Sequence, residues 1–455
     1  MNYQEFLDSK TQLTGNFGFD PLYMPEIAFD FQRHITKWAL KKGRAALFVD
    51  TGLGKTLMQL TLAENIIRKT NGNVLILTPL AVAFQFMQEA EKIGVHDIEH
   101  CKDGKFNKKI VVSNYERLDK FNSKDFECVI LDESSILKNF DGKFKTAITD
   151  FMKKTKYRFL STATPAPNDY IELGTSSEAL GHLGHMDMLG MYFGNNENNI
   201  RPQEIAVKWY LKPHAHDAFF KFVNSWAMSV KKPSDIGYSD EKYILPELIK
   251  NYHKVKNEEN LIRNGQMLMF NEIAKTMTEV RQEQKNTITK RCEKAVELAK
   301  NKTSVYWTNF NRESELLNEL DKDAVEIKGS MSIDKKEEIL LNFSKGEIKR
   351  IITKPKMTSF GLNWQHCNHT VYFPTWSYEQ YYQAIRRFWR FGQKKPVTVD
   401  LVFSDGQERV MKTLELKTEN AYQLQEKLNK NLHGFIDNKK NKVTKKITLP
   451  NFIKG

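Results

Sequence analysis

Lys55 and Thr56 follow a Gly52-Leu53-Gly54 turn, and the turn follows an apolar run, Ala45 to Val49, that reads as a buried strand. A helical pattern carrying Leu57, Leu60, Leu62 and Ala63 comes directly after. Strand, tight glycine turn and helix start form the context that a phosphate-binding loop requires. Glycines let backbone N–H groups close around phosphate oxygens, and the helix start adds unpaired donors and a positive dipole end. In that role Lys55 reaches the β- and γ-phosphates of a nucleotide and Thr56 offers a hydroxyl to Mg²⁺. Val49 stands where the strict pattern has glycine, so the stretch fits only a variant with a shorter glycine requirement. The plainer alternative is a glycine turn at an ordinary strand–helix junction.

Asp132 and Glu133 close another apolar run, Cys128 to Leu131. Adjacent carboxylates at a strand end, beside a phosphate loop, divide naturally into a Mg²⁺ holder (Asp132) and a residue that polarises the attacking water (Glu133). Surface acids opening a turn are the alternative. Gln32, ahead of the loop, has an amide that can both donate to and accept from adenine. The small hydroxyl residues of Ser161-Thr162-Ala163-Thr164 either relay the state of the γ-phosphate or simply form a turn. Arg387 and Arg390 lie three apart, on one face if the stretch is helical. An arginine from a second lobe can neutralise transition-state charge on a nucleotide bound to the first; a basic surface helix is the alternative.

The elements that must position these residues alternate in type. Apolar runs at Val74–Leu77, Ile110–Ser113, Cys128–Leu131 and Tyr157–Leu160, with helical patterns between, predict a parallel sheet covered on both faces. Ligands of such sheets bind beyond the carboxyl ends of the strands, where the acids and hydroxyls above stand. The alternation resumes at Ser304–Trp307, Arg350–Thr353, Thr370–Phe373 and Val397–Val402. The fold class expected is α/β, two parallel-sheet lobes in tandem joined by a helical connector. The boundaries are a first lobe over 1–175, a helical insertion and connector over 176–285 with a long amphipathic helix at 258–285, a second lobe over 286–405, and a helix and basic tail over 406–455.

The 455 residues carry a net charge of +13, and residues 406–455 hold ten Lys and one Arg against four Glu and one Asp. That excess favours a polyanionic partner, though a solvated tail explains the tail alone equally well. No apolar run approaches the roughly 20 residues that span a bilayer, and the N-terminus lacks the pattern of a signal peptide. Four scattered cysteines suggest a reducing compartment. His366-Cys367-Asn368-His369 has metal-like residue types, but one short cluster supplies too few tetrahedral ligands.

Taken in order, these stretches resemble helicase superfamily two, and within it the Swi/Snf-like double-stranded DNA translocases, from about residue 28 to 430. Gln32 matches the family's adenine-reading glutamine, Asp50–Thr56 its phosphate loop and Leu131–Glu133 its acidic box. Leu160–Pro165 resembles its L-T-G-T-P, and Thr358–Asn363 its G-L-G-L-N segment. Gln383–Gln393 resembles Q-A-x-D-R-x-x-R-x-G-Q with Arg386 replacing the acid, and Glu408-Arg409-Val410 the segment after the last strand. The resemblance implies two RecA-like lobes with ATP in the cleft, held by Gln32, Gly52, Leu53, Gly54, Lys55, Thr56 and Asp132. It implies Mg²⁺ on Thr56 and Asp132, catalysis by Lys55, Asp132, Glu133, Arg387 and Arg390, and Arg390 as the finger. It implies nucleic-acid-stimulated hydrolysis on DNA, duplex or forked, with RNA less favoured. The rivals are an RNA helicase and a nucleotide-gated ATPase subunit of a larger complex. The lack of accessory modules suggests a compact bacterial or phage enzyme in the cytoplasm, with replication or recombination proteins as partners.

Overall fold

A computed structural model describes residues 15–79, 82–138, 142–166, 169–195, 209–257, 262–263, 266–267, 277–358, 363–408, 410–416, 418–419, 423 and 426–430. The first half supplies strands β1 (Arg44–Val49), β2 (Asn73–Thr78), β3 (Ile98–His100), β4 (Ile110–Asn114), β5 (Phe126–Asp132) and β6 (Tyr157–Ser161). A short antiparallel pair follows, β7 (Phe193–Asn195) and β8 (Trp209–Leu211), and then β9 (Ala227–Val230). Seven of these make one sheet, ordered β3-β4-β2-β5-β6-β1-β9, with every pairing parallel. Successive side chains of a strand point to opposite faces. Accordingly Ala46 and Phe48 enter one core, where Trp226 meets Phe48 edge-on at 6.1 Å, while Ala45, Leu47 and Val49 enter the other. Burial on both faces is why β1, β2, β4 and β5 read as unbroken apolar runs.

The second sheet is also parallel, ordered β10-β17-β16-β13-β15-β14. Its strands are β10 (Leu248–Val255), β13 (Ser304–Trp307), β14 (Ala324–Glu326), β15 (Arg350–Thr353), β16 (His369–Tyr372) and β17 (Val397–Ser404). Val305 and Trp307 face one core and Tyr306 the other. The molecule is therefore two α/β lobes of RecA type in tandem.

The connector departs from expectation. It is not purely helical: it gives β9 to the first sheet and β10 to the second. Much of β10 is polar and exposed, as befits an edge strand, and so it lacks the apolar signature of its neighbours. The long helix expected over 258–285 is also absent as such. Among the described residues a hairpin, β11 (Ile262–Arg263) with β12 (Gln266–Met267), precedes a helix confined to Met277–Asn286. The sequence between the hairpin strands is Asn264-Gly265, the dipeptide that most favours two-residue hairpin loops. That local signal outweighs the sparse apolar positions on which the helix was inferred.

Candidate nucleotide site between the lobes

The loop after β1 needs its glycines for two reasons. Gly52 and Gly54 have φ of 90° and 86°, a region that side chains with a Cβ seldom enter. They also admit close neighbours. A Cβ on Gly54 would lie 2.2 Å from Gln32 Nε2, and one on Gly52 would lie 2.8 Å from the backbone nitrogen of Phe391 in the second lobe. Gly54 caps the helix Lys55–Thr70, whose first N–H groups thereby open toward the loop. Lys55 Nζ donates to Val49 O at 3.1 Å.

Gln32 sits in the first turn of the helix Asp30–Lys42 and is buried. Its Nε2 donates to Leu53 O at 2.9 Å and its Oε1 accepts from Phe29 N at 3.0 Å. It thus braces the loop from behind, with one N–H and one lone pair left on the amide. Neither Gln32 nor Leu53 lines the cavity.

Asp132 ends the central strand β5 and Glu133 directly follows it, and they are only 5% and 7% exposed. Glu133 takes φ of 53°, uncommon for a residue other than glycine. Asp132 Oδ1 accepts from Gln59 Nε2 at 2.7 Å, and its carbonyl accepts from Tyr115 Oη at 2.6 Å. Glu133 Oε2 accepts from Thr162 Oγ1 at 3.3 Å. Thr162 Oγ1 accepts from Thr164 N at 3.1 Å, and Thr164 Oγ1 accepts from Gln383 Nε2 at 3.4 Å. A hydrogen-bonded chain therefore runs from Glu133 through Thr162 and Thr164 into the second lobe. The bond from Thr164 N to Thr162 Oγ1, two residues apart, is also a local turn contact, so these threonines shape the turn and lie on the path between the lobes at once.

The second lobe approaches with the helix Tyr378–Ile385 and the turn after it. Here the geometry corrects the sequence reading. Arg387 and Arg390 do not share a helix face, because the helix stops at Ile385 and the chain turns through Gln393. The turn is held by Gln365, whose Nε2 bonds Phe391 O, and by Gln393, whose Nε2 donates to Gln365 O at 3.0 Å. Both arginines nonetheless reach one cavity of about 270 Å³, whose lining includes Gly52, Gly54, Lys55, Thr56, Asp132 and Glu133. Asn363 also lines it, whereas residues 359–362 of the resembling segment, Arg409 and the tail from 431 lie outside the described residues.

Charge is concentrated in this cavity. Burial, and next the charge of Glu133, pushes the Asp132 carboxyl up to about 6, against the opposing pull of Gln59, Lys55 and Arg387. Burial and then Arg390 push Arg387 down to about 9, and burial and then Arg386 push Arg390 down to about 10. Both arginines are supported by Glu133 and Asp132. Two carboxylates thus face two arginines and a lysine across a gap, as a site for an anion plus a cation would require.

Sequence reasoning missed the residues that aim these groups: Asp50, Gln59, Tyr115, Tyr382 and Gln383. Asp50 and Gln383 stand inside stretches matched above but carried no role there, and Gln59 left a readable trace of its own. It is a polar residue one helical turn after Lys55, on the same face. The His366–His369 stretch is spent otherwise: His369 bonds Asp400 at 2.7 Å and Ser304 at 2.9 Å, and Cys367 Sγ bonds the carbonyls of Thr303 and His369. Among the described residues no helix is long and apolar enough to cross a membrane.

Comparison with known proteins identifies the domains that carry these residues. The family model for DEAD/DEAH box helicase matches residues 29–173, and that for the helicase conserved C-terminal domain matches residues 286–392. Together they cover more than half of the chain and hold both walls of the cavity. The chain belongs to the DEAD/DEAH-box helicases of superfamily two, and carries both of their ATPase domains. It is similar to the SWI/SNF-related matrix-associated actin-dependent regulator of chromatin subfamily A-like protein 1 of Drosophila melanogaster, 25% identical over 195 residues. That match takes in 38% of this chain and spans about a quarter of the relative's length, 25%. Among solved structures, the Sulfolobus solfataricus SWI2/SNF2 ATPase core in complex with dsDNA aligns over 91% of this chain and 98% of its own, at a TM-score of 0.41 and 16% identity.

Proposed function

We propose that this protein is a nucleic-acid-stimulated ATPase that moves along DNA, in the manner of a Swi/Snf-like translocase or helicase. The observation that carries the reading is the convergence of Lys55, Asp132 and Glu133 from one lobe with Arg387 and Arg390 from the other on a single cavity. In this reading the loop Gly52–Thr56 holds the phosphates and Lys55 bridges the β- and γ-groups. Glu133 polarises the attacking water, and Arg390 is the finger that meets the developing charge, with Arg387 beside it. Gln32, held against Leu53 O, keeps enough free amide to read adenine.

The donor set suits Mg²⁺. Thr56 and Asp132 would hold it, since Mg²⁺ takes one or two protein ligands plus phosphates and water. The raised Asp132 carboxyl is a second sign, because a cation there relieves the repulsion of two adjacent buried acids. When bound, Mg²⁺ supplies charge neutralisation at the phosphates.

DNA rather than RNA is favoured by the Swi/Snf-like sequence likeness and by the Gly392-Gln393 ending of the arginine turn. Net charge of +13 suits a phosphate-tracking protein. The test is steady-state ATP hydrolysis alone and with single-stranded, duplex and forked DNA and RNA, at low and moderate salt. Stimulation by duplex or forked DNA is expected. Stimulation by RNA alone would replace this reading with an RNA helicase, and stimulation by none of them would remove the motor reading.

A further inference from the structure

Asp50 directly follows β1 and precedes the glycine turn by one residue, Thr51, and the second lobe grips it. Arg386 Nη2 donates to Asp50 Oδ2 at 2.7 Å and to Thr51 O at 3.1 Å. Tyr382 Oη donates to Asp50 Oδ1 at 2.8 Å, on the same carboxylate oxygen that accepts from Thr51 N at 2.6 Å. Arg386 is the residue that stands in place of the acid in the resembling motif, so this contact is one that an acid there could not make. The side chains of the pair are 6% and 17% exposed. A charge-assisted pair so shielded is little screened.

Among the described residues Lys102 also pairs across the lobes, with Asp334, 72% exposed, and at 3.6 Å with the buried Glu337; the lysine side chain is 43% exposed, and ion pairs open to solvent in this way contribute little. A third contact is apolar. Phe391 stacks on Tyr243 with centroids 4.7 Å apart, and Tyr243 packs edge-on against Phe29 and Phe31. Stacking tolerates sliding, whereas two hydrogen bonds to one carboxylate set position and rotation together.

We propose that Asp50, clamped by Arg386 and Tyr382, is the positioning latch that registers the arginine turn of the second lobe over the phosphate loop of the first. The latch sits where β1 passes into the loop, and Arg386 directly precedes Arg387. Fixing Arg386 therefore fixes where Arg387 and Arg390 enter the cavity. Turnover then depends on the latch, while nucleotide binding by the first lobe does not. This inference rests on the ATPase reading given above.

A double-mutant cycle on the full-length chain tests it, with kcat, KM for ATP and an inter-lobe distance as readouts. Arg386→Gln and Asp50→Asn are each expected to lower kcat about tenfold or more, from the loss of hydrogen bonds to a charged partner, with KM for ATP held within about twofold. The double variant is expected to cost no more than either single one, as for two ends of one interaction. Arg386→Lys, which keeps charge and one donor, is expected to recover part of the loss. Tyr382→Phe removes a single hydroxyl, so it decides the matter should a charge variant fail to fold; it is expected to lower kcat alone.

Spin labels at Glu127→Cys and Glu347→Cys, both exposed positions on different lobes, are expected to show a broadened separation in Arg386→Gln. The four native cysteines are buried and will not compete for label. Additive losses in the double variant, or an unchanged distance distribution with unchanged kcat, would overturn the latch. Lys55→Ala separates the two layers. Hydrolysis that survives Lys55→Ala removes the assignment of this cavity as the site of hydrolysis. If Lys55→Ala is inactive while the latch variants turn over normally, only the latch falls.

Discussion

Replacing Gln59 with Leu removes one hydrogen bond and keeps the side chain's bulk, and its consequence can be worked through. Gln59 is fully buried and gives its N–H to Asp132 Oδ1 at 2.7 Å. A hydrogen bond to an ionised group in such a place contributes about 1.5–3 kcal/mol. It favours the charged form, so its loss raises the carboxyl by about one to two pKa units. Asp132 already lies at about 6 because of burial and Glu133. The acid limb of kcat/KM, which reports the free enzyme, is therefore expected to move from near 6 to about 7 or beyond. At pH 7 the ionised fraction falls from about nine-tenths to about one half or less. If Asp132 holds Mg²⁺, the Mg²⁺ concentration for half-maximal rate rises in the same variant and recovers as pH increases. The assay is ATP hydrolysis from pH 5.5 to 9 at several Mg²⁺ concentrations. An acid limb and a Mg²⁺ requirement both unchanged in Gln59→Leu would refute the link between Gln59, Asp132 and the metal.

Further outcomes follow from the same cavity. Glu133→Gln is expected to leave ATP binding within a few-fold, by equilibrium titration, while stopping turnover; retained turnover would move the water-polarising role elsewhere. Arg390→Ala is expected to lower kcat on the order of 10³-fold, the range of an arginine finger, and Arg387→Ala exceeding it in single-turnover assays would exchange the two roles. Asp132→Asn is expected to stabilise the nucleotide-free protein. The folded carboxyl is raised from 3.8 to about 6, so the native state holds its proton more tightly than the unfolded chain. The ionised group therefore destabilises the fold above pH 6, by up to about 3 kcal/mol, and that cost fades as pH falls through the window toward 3.8. Denaturant unfolding at pH 8 and pH 5 checks this: the gain should be large at the first and smaller at the second, and an equal gain at both would refute the assignment.

Much of the architecture was legible because a parallel sheet buried on both faces demands apolar runs, and all nine of them stood in the expected places. Ligands of such sheets bind beyond the carboxyl ends of the strands, so Lys55, Thr56, Asp132 and Glu133 were legible as candidates with them. Elements at the edges were not. The short β3 and the polar β10 bury too little to write a pattern, and β9, though buried throughout, has four residues interrupted by Ser229. A long helix was inferred where a hairpin occurs, because a few apolar positions at helical spacing outweighed the Asn264-Gly265 turn signal. Arg387 and Arg390 were found for the wrong geometric reason: the helix ends before them, and a turn pinned by Gln365 and Gln393 brings them in.

By itself, the amino-acid sequence determined the groups available to each lobe, since a glycine turn followed by Lys55-Thr56, an acidic strand end and a pair of nearby arginines are each local. Which groups meet was decided only in three dimensions. Gln59 and Asp132 are 73 residues apart, and Arg386 and Asp50 are 336 apart. No periodicity links such pairs. Their meeting depends on the order of strands within each sheet and on the approach of one lobe to the other. In that buried cleft the mutual fields of carboxylates and guanidinium groups are strong enough to shift one another's proton affinities.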